Sequence, residues 1–136
     1  LYETMKLSFS CSSPGKARWK QLSQQHCGYC VPCLIRRAAM HKAFGDDGTV
    51  YTETSIYEMQ NKNAEGMGIQ LRSFQYAIDK IKQDRNRALF YIHKPGPLPQ
   101  DDEYLRKLAD TYIRGLLEVD AFIQDNLAQE DENNDL

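Results

Sequence analysis

The chain has 136 residues, a length that fits one domain or one domain with an appendage. Charged residues make up 26% of it and the mean hydropathy is −0.64, so we expect a soluble protein. No apolar run approaches the roughly 18 residues that cross a bilayer, which excludes a transmembrane helix. The formal net charge of −2 excludes recruitment of nucleic acid by bulk charge alone.

Charge is distributed unevenly along the chain. Residues 1–48 hold seven basic and three acidic side chains, a net charge of +4, whereas residues 124–136 hold five acidic side chains and no basic one. The basic end could therefore meet an anion, although a solvated surface of mixed charge is the simpler interpretation. The acidic tail from Ala128 onward is predicted to be disordered.

The first residue is Leu1, and no signal-peptide core follows it. We therefore expect a piece of a longer, cytoplasmic protein.

All four cysteines lie in the first quarter of the chain: Cys11, Cys27, Cys30 and Cys33. The last three are separated by gaps of two residues, a spacing more typical of metal ligands than of disulfides. Such a loop can direct sulfur atoms toward one point about 2.3 Å away, the zinc–thiolate distance. Gly28 suits a tight knuckle because glycine tolerates positive φ. Pro32 suits the first turn of a following helix, in which Cys33 would also lie.

Structural zinc is the metal that this ligand set favours, because four thiolates close the coordination sphere. An iron–sulfur cluster stays open as an alternative, although its bacterial motif needs a further cysteine at position 37, where the chain has Arg37. Two disulfides or unligated thiols also stay open. His26 and His41 are substitute ligands in principle, but with four thiols present we expect them to be bystanders. A closed site would not activate water, so it indicates a scaffold and not catalysis.

The segments around the cysteines predict a strand and a helix. Met5, Leu7 and Phe9 alternate with polar residues, which predicts a short strand leading to the first cysteine. Apolar positions within residues 34–44 share one side of a helix, and Gly45 is its predicted C-cap.

Arg36 and Arg37 begin this helix beside the predicted metal site. They are weak candidates for binding a phosphate or a carboxylate. The alternative is that they offset the charge of −2 that four thiolates and one Zn²⁺ would carry.

The remainder of the chain predicts a mainly α fold. Residues 69–85 have a helical period, and residues 88–92 are either a buried strand or a last helical turn. A proline-rich stretch over residues 94–99 interrupts regular structure, and Asp101 or Asp102 can then cap a long amphipathic helix. The apolar stripe of that helix is Leu105, Leu108, Tyr112, Leu116, Val119 and Ile123.

The predicted organisation has four parts. They are a four-cysteine zinc-binding segment over residues 1–48, an irregular loop over 49–68 with a short helix near 55–60, a helical extension over 69–127, and the disordered acidic tail over 128–136. No glycine-rich phosphate loop and no serine-nucleophile elbow occurs in these parts. We therefore predict no complete active site, and the catalytic residues are unknown.

The cysteine pattern resembles a known enzyme family. Ser8-Phe9-Ser10-Cys11, followed by Cys27-Gly28-x-Cys30-x-x-Cys33-x-x-Arg36, is similar to the C-terminal zinc segment of the QueC family, the 7-cyano-7-deazaguanine synthases. The resemblance implies that the four cysteines are zinc ligands, that Gly28 is the knuckle glycine and that Arg36 follows the knuckle. It also implies a parent protein with the α/β, Rossmann-like fold of the PP-loop ATP pyrophosphatases, which uses ATP to activate and amidate a deazaguanine carboxyl group.

The chain departs from that pattern in three ways. The loop between the first two cysteines is longer, the Ser-Gly-Gly-x-Asp-Ser phosphate loop is absent, and the region after Gly45 is extended. The extension, with its Gly-Pro-Leu-Pro segment, resembles the QueC-like proteins of Qat anti-phage operons. That resemblance implies a protein partner from a defence operon, besides the remainder of the parent chain or a second fragment. No catalysis is expected from this chain alone, since ATP would bind in the parent protein only.

The alternative is a free-standing zinc module that binds nucleic acid or protein. It depends on the basic residues 1–48 and on two aromatic side chains expected to be exposed, Trp19 and Tyr29. Trp19 lies among Lys16, Arg18 and Lys20 and could stack on a base. Nucleic acid is nevertheless not the favoured partner, because a single tryptophan more often anchors packing, and no membrane partner is expected.

Overall fold

The computed structural model describes residues 2–45, 47–61 and 66–134, the last five of them by backbone alone. These residues form seven helices: α1 (Tyr2–Lys6), α2 (Gly15–Trp19), α3 (Val31–Phe44), α4 (Ile56–Asn61), α5 (Met67–Gln83), α6 (Arg87–Tyr91) and α7 (Asp102–Asn134). The only extended pairing among the described residues is an isolated parallel bridge between His26 and Tyr51. The prediction of a mainly α fold is therefore confirmed.

The predicted short strand through Met5, Leu7 and Phe9 is wrong. Its first half lies in α1, and the amides of Leu7 and Ser8 bond back to the carbonyl oxygens of Thr4 and Met5, at 3.2 and 3.0 Å. A strand needs a neighbour that satisfies its backbone, and this segment has none among the described residues, so local turns satisfy the amides instead. Leu7 is also 87% exposed, so the alternating pattern buries no face.

The long helix α7 is the element against which α3, α4, α5 and α6 pack. It begins as the sequence predicts, because the Asp101 carboxylate accepts a hydrogen bond from the Tyr104 amide at 3.0 Å. Three members of its predicted stripe, Leu116, Val119 and Ile123, are buried. Their burial confirms that the 3.6-residue period marks the packed face.

The segment left open as strand or helix is helical. It forms α6, and the Ile92 amide continues the pattern by bonding to the Ala88 carbonyl oxygen at 3.0 Å. Helix α5 ends two residues before the predicted boundary, because Asp84 adopts an extended backbone with φ −154°.

The cysteine segment and the helical extension share one hydrophobic core. Cys27 and Cys33 belong to the same buried cluster as Leu71 of α5 and Ile123 of α7. The loop predicted over residues 49–68 contains α4, as expected for its short helix, and α5 already begins at Met67. Residues 62–65 of that loop lie outside the described residues.

Helix α7 continues through residues 128–134, where composition predicted a disordered tail. Ala, Gln and Glu are good helix formers, and extending an existing helix avoids the cost of nucleating a new one. Residues 135–136 of the predicted tail lie outside the described residues.

None of the helices in the described part of the chain is both long and apolar enough to cross a membrane.

Gly115 lies inside α7, and a Cβ atom built there would meet nothing within 4 Å. No other element approaches it closely, so the position merely tolerates glycine. We expect Gly115→Ala to raise the free energy of unfolding by about 1 kcal/mol, since alanine loses less backbone entropy in a helix. Denaturant titration monitored by circular dichroism measures this change. A destabilised variant would show that the glycine has a packing role.

Candidate metal centre

The four cysteine sulfurs converge on one point. Every pair of them lies within 4.8 Å, with 3.9 Å between the sulfurs of Cys27 and Cys33 and 4.0 Å between those of Cys11 and Cys30. Ligands of a tetrahedral ion with bonds of about 2.3 Å lie about 3.8 Å apart. All four cysteines are free of disulfides. The cluster predicted from spacing is therefore assembled, and its geometry fits a single ion.

Backbone turns position the sulfurs and donate to them. The amides of Ser13 and Cys27 point at the Cys11 sulfur, at 3.3 and 3.2 Å, and the Cys30 amide points at the Cys27 sulfur, at 3.4 Å. Amide donors of this kind favour the thiolate over the thiol. The backbone amides of the knuckle would thus stabilise the negative charge of thiolates bound to a metal.

Helix α3 positions the last two candidate ligands, Cys30 and Cys33. Cys30 is its N-cap, with extended backbone angles, and Pro32 lies in the first turn as predicted. Cys33 follows in the same turn, which directs its side chain toward the helix start and toward Cys27. At the other end Gly45 caps α3 with φ 75°, and its amide bonds to His41 O at 2.9 Å, which confirms the predicted C-cap.

The thiols differ in acidity. A hydrogen bond between Cys33 and Cys27 lowers the pKa of the Cys27 thiol and raises the pKa of the Cys33 thiol. Burial raises the pKa of the Cys11 thiol, the most accessible of the four. Burial, followed by the charge of Cys27, raises the pKa of the Tyr29 hydroxyl to about 12. Tyr29 is only 7% exposed, so its predicted exposure is wrong.

His26 lies at the cluster, whereas His41 does not. The Nδ1 atom of His26 is 3.8 Å from the Cys33 sulfur, and its ring packs against Phe9 and Tyr51. Burial, together with the Arg36 charge, lowers the pKa of His26 and favours its neutral form. His26 therefore contacts Cys33 without belonging to the group of four sulfurs that could hold an ion. His41 instead bonds to Asp125 of α7, with Nε2 2.9 Å from the carboxylate.

The sequence analysis missed the segment that closes the knuckle. Residues 51–53 run beside residues 26–27, and the amides of Thr52 and Glu53 bond to the carbonyl oxygens of His26 and Cys27, at 2.8 and 3.1 Å. The Glu53 carbonyl lies directly against Gly28, whose φ is 90°, so positive φ at the predicted knuckle glycine is confirmed. The hint in the sequence was the pair of aromatic residues Tyr51 and Tyr57 within a loop rich in Gly, Asp, Asn and Thr.

Arg36 is buried and bonded internally. Its guanidinium donates to the Met5 carbonyl and the Ser8 hydroxyl, both at 2.6 Å, and to the Thr49 hydroxyl at 3.2 Å. The Asp47 carboxylate lies 4.0 Å from its Nε. Arg36 therefore ties α1 and the loop after Gly45 to α3.

Arg37 is also buried, and it joins three elements. It donates to the carbonyl oxygens of Gly28 at 3.2 Å and Thr54 at 2.6 Å, and its guanidinium lies 4.9 Å from the Phe122 ring centre. Anion binding by Arg36 and Arg37 stays a prediction, and the contacts found at both residues are to the protein itself.

Gly28→Ala should destabilise both the fold and the metal centre. The change forces a side chain into positive φ and drives its Cβ into the Glu53 carbonyl oxygen. Gly45→Ala is the matched control, since it shares the positive φ but meets open space. We expect Gly45→Ala to cost about 1–2 kcal/mol and Gly28→Ala about twice that or more. Equal losses in denaturant titrations would contradict the close approach.

Arg36→Met should lower the free energy of unfolding by about 3 kcal/mol, because buried acceptors lose a charged donor while the side-chain volume is kept. The change would also remove the cation next to Asp47. The Oδ1 atom of Asp47 is buried and makes no hydrogen bond with a described residue, so it has no other partner there to compensate for that loss. Arg106→Met on the exposed side of α7 is the control and should change stability by less than about 0.5 kcal/mol. A loss at Arg36 no larger than at Arg106 would contradict the structural role.

Comparisons with protein-family models, with curated proteins and with solved structures found no match to this chain. The conclusion about the site therefore comes from its own geometry. Cys11, Cys27, Cys30 and Cys33 could hold a metal ion.

Proposed function

We propose that this chain is the zinc-bearing C-terminal part of a QueC-like protein. The observation that supports it is the convergence of the four sulfurs within 4.8 Å, at the four positions that the resemblance assigns to zinc ligands. The positive φ of Gly28 supports it further, because the family pattern has its knuckle glycine there.

Zinc is the metal proposed for the site. Sulfur separations near 4 Å suit one tetrahedral ion, whereas a multi-iron cluster would hold the sulfurs around several metal atoms. Four thiolates complete the zinc coordination sphere, so the ion would stabilise the fold and would not carry a reacting water.

The metal centre would support one wall of a substrate pocket. A polar cavity of about 310 Å³ lies between α3, the loop after Gly45 and α7. Arg37, Tyr51 and Phe122 line this cavity, and Arg37 also bonds to the knuckle carbonyl of Gly28. A planar deazaguanine would pack beside Arg37, whose guanidinium already lies against both rings. Loss of the metal would therefore disturb the cavity through Arg37.

The chemistry in the parent protein would be activation of a deazaguanine carboxyl group by ATP, followed by amidation or conjugation. The ATP-binding loop is assigned to the remainder of the parent chain or to a second fragment, since the Ser-Gly-Gly-x-Asp-Ser pattern does not occur in these 136 residues. The extended helical region would offer a face to a protein partner from a defence operon. We expect no turnover from this chain alone.

The metal is tested by elemental mass spectrometry of protein purified without added metal. We expect about one zinc per chain, its loss on chelation and an accompanying loss of helical signal, because metal binding contributes to folding. Cys27→Ser should bind zinc more weakly, whereas Ser23→Ala, which leaves the thiols intact, should not. Iron with sulfide, or a metal-free protein with paired cysteines, would overturn the proposed zinc site.

Two observations test the relation to QueC. The first is the sequence of the open reading frame that encodes these residues, and the second is the activity of its full-length product. We expect a Ser-Gly-Gly-x-Asp-Ser loop encoded upstream or in an adjacent gene. The assembled protein should release AMP from ATP only when a 7-carboxy-7-deazaguanine substrate is present. AMP formation by the present chain alone, or a frame and neighbouring genes without that loop, would contradict the proposal.

A further inference from the structure

Trp19 is the only tryptophan of the chain, and it lies in solvent. It is 87% exposed at the end of α2, whereas Ala17 in the same helix is 1% exposed. Covering an indole of this size lowers the free energy. An indole that is left in solvent therefore indicates a contact surface more than a packing anchor. The alternative of a core tryptophan is thereby excluded.

Positive side chains flank the indole on both sides. Residues in a helix follow each other at about 100°, so Trp19 lies nearly opposite the buried Ala17, with Lys16 and Arg18 on either flank. Lys16 and Arg18 are exposed, and neither forms an ion pair within the described part of the chain. Their charges are available to an anionic partner.

The charge of the surrounding sequence has one sign. Residues 4–45 contain no aspartate or glutamate, although the whole chain has a net charge of −2. The nearest acidic partner found for α2 comes from another segment, where Glu53 pairs with Lys20. The charge of the sequence around α2 therefore favours an anionic partner, even though the protein as a whole is acidic.

The surface is anchored to the metal centre. The amides of Lys20 and Leu22 both bond to the Ala17 carbonyl, at 3.1 and 2.9 Å, which closes the end of α2. Glu53, which pairs with Lys20, also bonds through its amide to the Cys27 carbonyl at 3.1 Å. The end of α2, which carries the indole, is thus connected to the knuckle through Lys20 and Glu53.

From these observations we propose that α2 and the turn after it bind single-stranded nucleic acid. An unpaired base stacks on Trp19, and Lys16 and Arg18 contact the neighbouring phosphates. A groove lined by Arg18, Leu22 and Gln24 continues the surface along the strand. A single strand fits better than a duplex, because only an unpaired base can leave its face to the indole. This inference does not depend on the proposed enzymatic role.

Intrinsic fluorescence tests the proposal directly, because Trp19 is the only indole that can report. The zinc-loaded full chain is titrated with a dodecamer of deoxythymidine at several salt concentrations. We expect quenching of Trp19 and an affinity that falls with salt. Lys16→Ala should lower the slope of log affinity against log salt by about 0.7, the change for one phosphate contact to a single strand.

A labelled oligonucleotide then separates stacking from charge. Trp19→Ala should weaken binding about fivefold or more, the range for loss of one stacked base, and Trp19→Phe should recover part of it. Tyr76→Ala removes a 63% exposed aromatic side chain from α5 and should leave the affinity unchanged. Arg106→Ala removes an exposed cation from α7 and should also leave it unchanged.

Three results would overturn the proposal. The first is an affinity that Trp19→Ala does not change. The second is equally tight binding of a duplex of the same length, which would show charge attraction without stacking. The third is equal quenching by polyglutamate, which would identify the surface as a docking site for an acidic protein. Circular dichroism and zinc content of each variant establish that it is folded before binding is compared.

Discussion

The buried guanidinium of Arg37 connects the parts of this protein. It is 7% exposed, and a charge removed from water this far must be paired with acceptors or aromatic faces. Its hydrogen bonds reach the knuckle at Gly28 and the loop at Thr54, and its flat faces approach Tyr51 and Phe122. The knuckle, the loop and α7 are therefore positioned by one side chain of α3.

The four cysteine sulfurs lie next to the backbone that Arg37 holds, and three of the cysteines are part of the hydrophobic core. Cys27 and Cys33 belong to the same buried cluster as residues of α5 and α7, so an ion bound between them would stabilise the core and not only the knuckle. Four thiolates would leave a bound zinc ion no open position for a substrate. Arg37 and Tyr51 border a cavity that none of the four cysteines lines, so the cavity and the cysteine cluster are separate features joined by Arg37.

The cysteine segment has a buried part around Cys27 and Cys33 and an exposed part at α2. Toward α3 and α7 it is packed against the core and bonded through Arg36 and Arg37. Helix α2 exposes Trp19 together with Lys16 and Arg18, and neither cation forms an ion pair with a described residue. The nucleic-acid surface proposed on α2 is connected to the knuckle through the ion pair between Lys20 and Glu53, because the Glu53 amide bonds to the Cys27 carbonyl oxygen.

The sequence alone determined the four-cysteine cluster, the proline in the first turn of α3, its glycine C-cap and the packed stripe of α7. These are local features, since cysteine spacing, a proline, a glycine and a helical period act over a few residues. The strand predicted through Leu7 was wrong, because a strand forms only if a distant segment pairs with it. Tertiary structure alone brought Thr52 and Glu53 against the knuckle and buried Tyr29. Those outcomes depend on residues about 25 positions apart, whose approach no local pattern encodes.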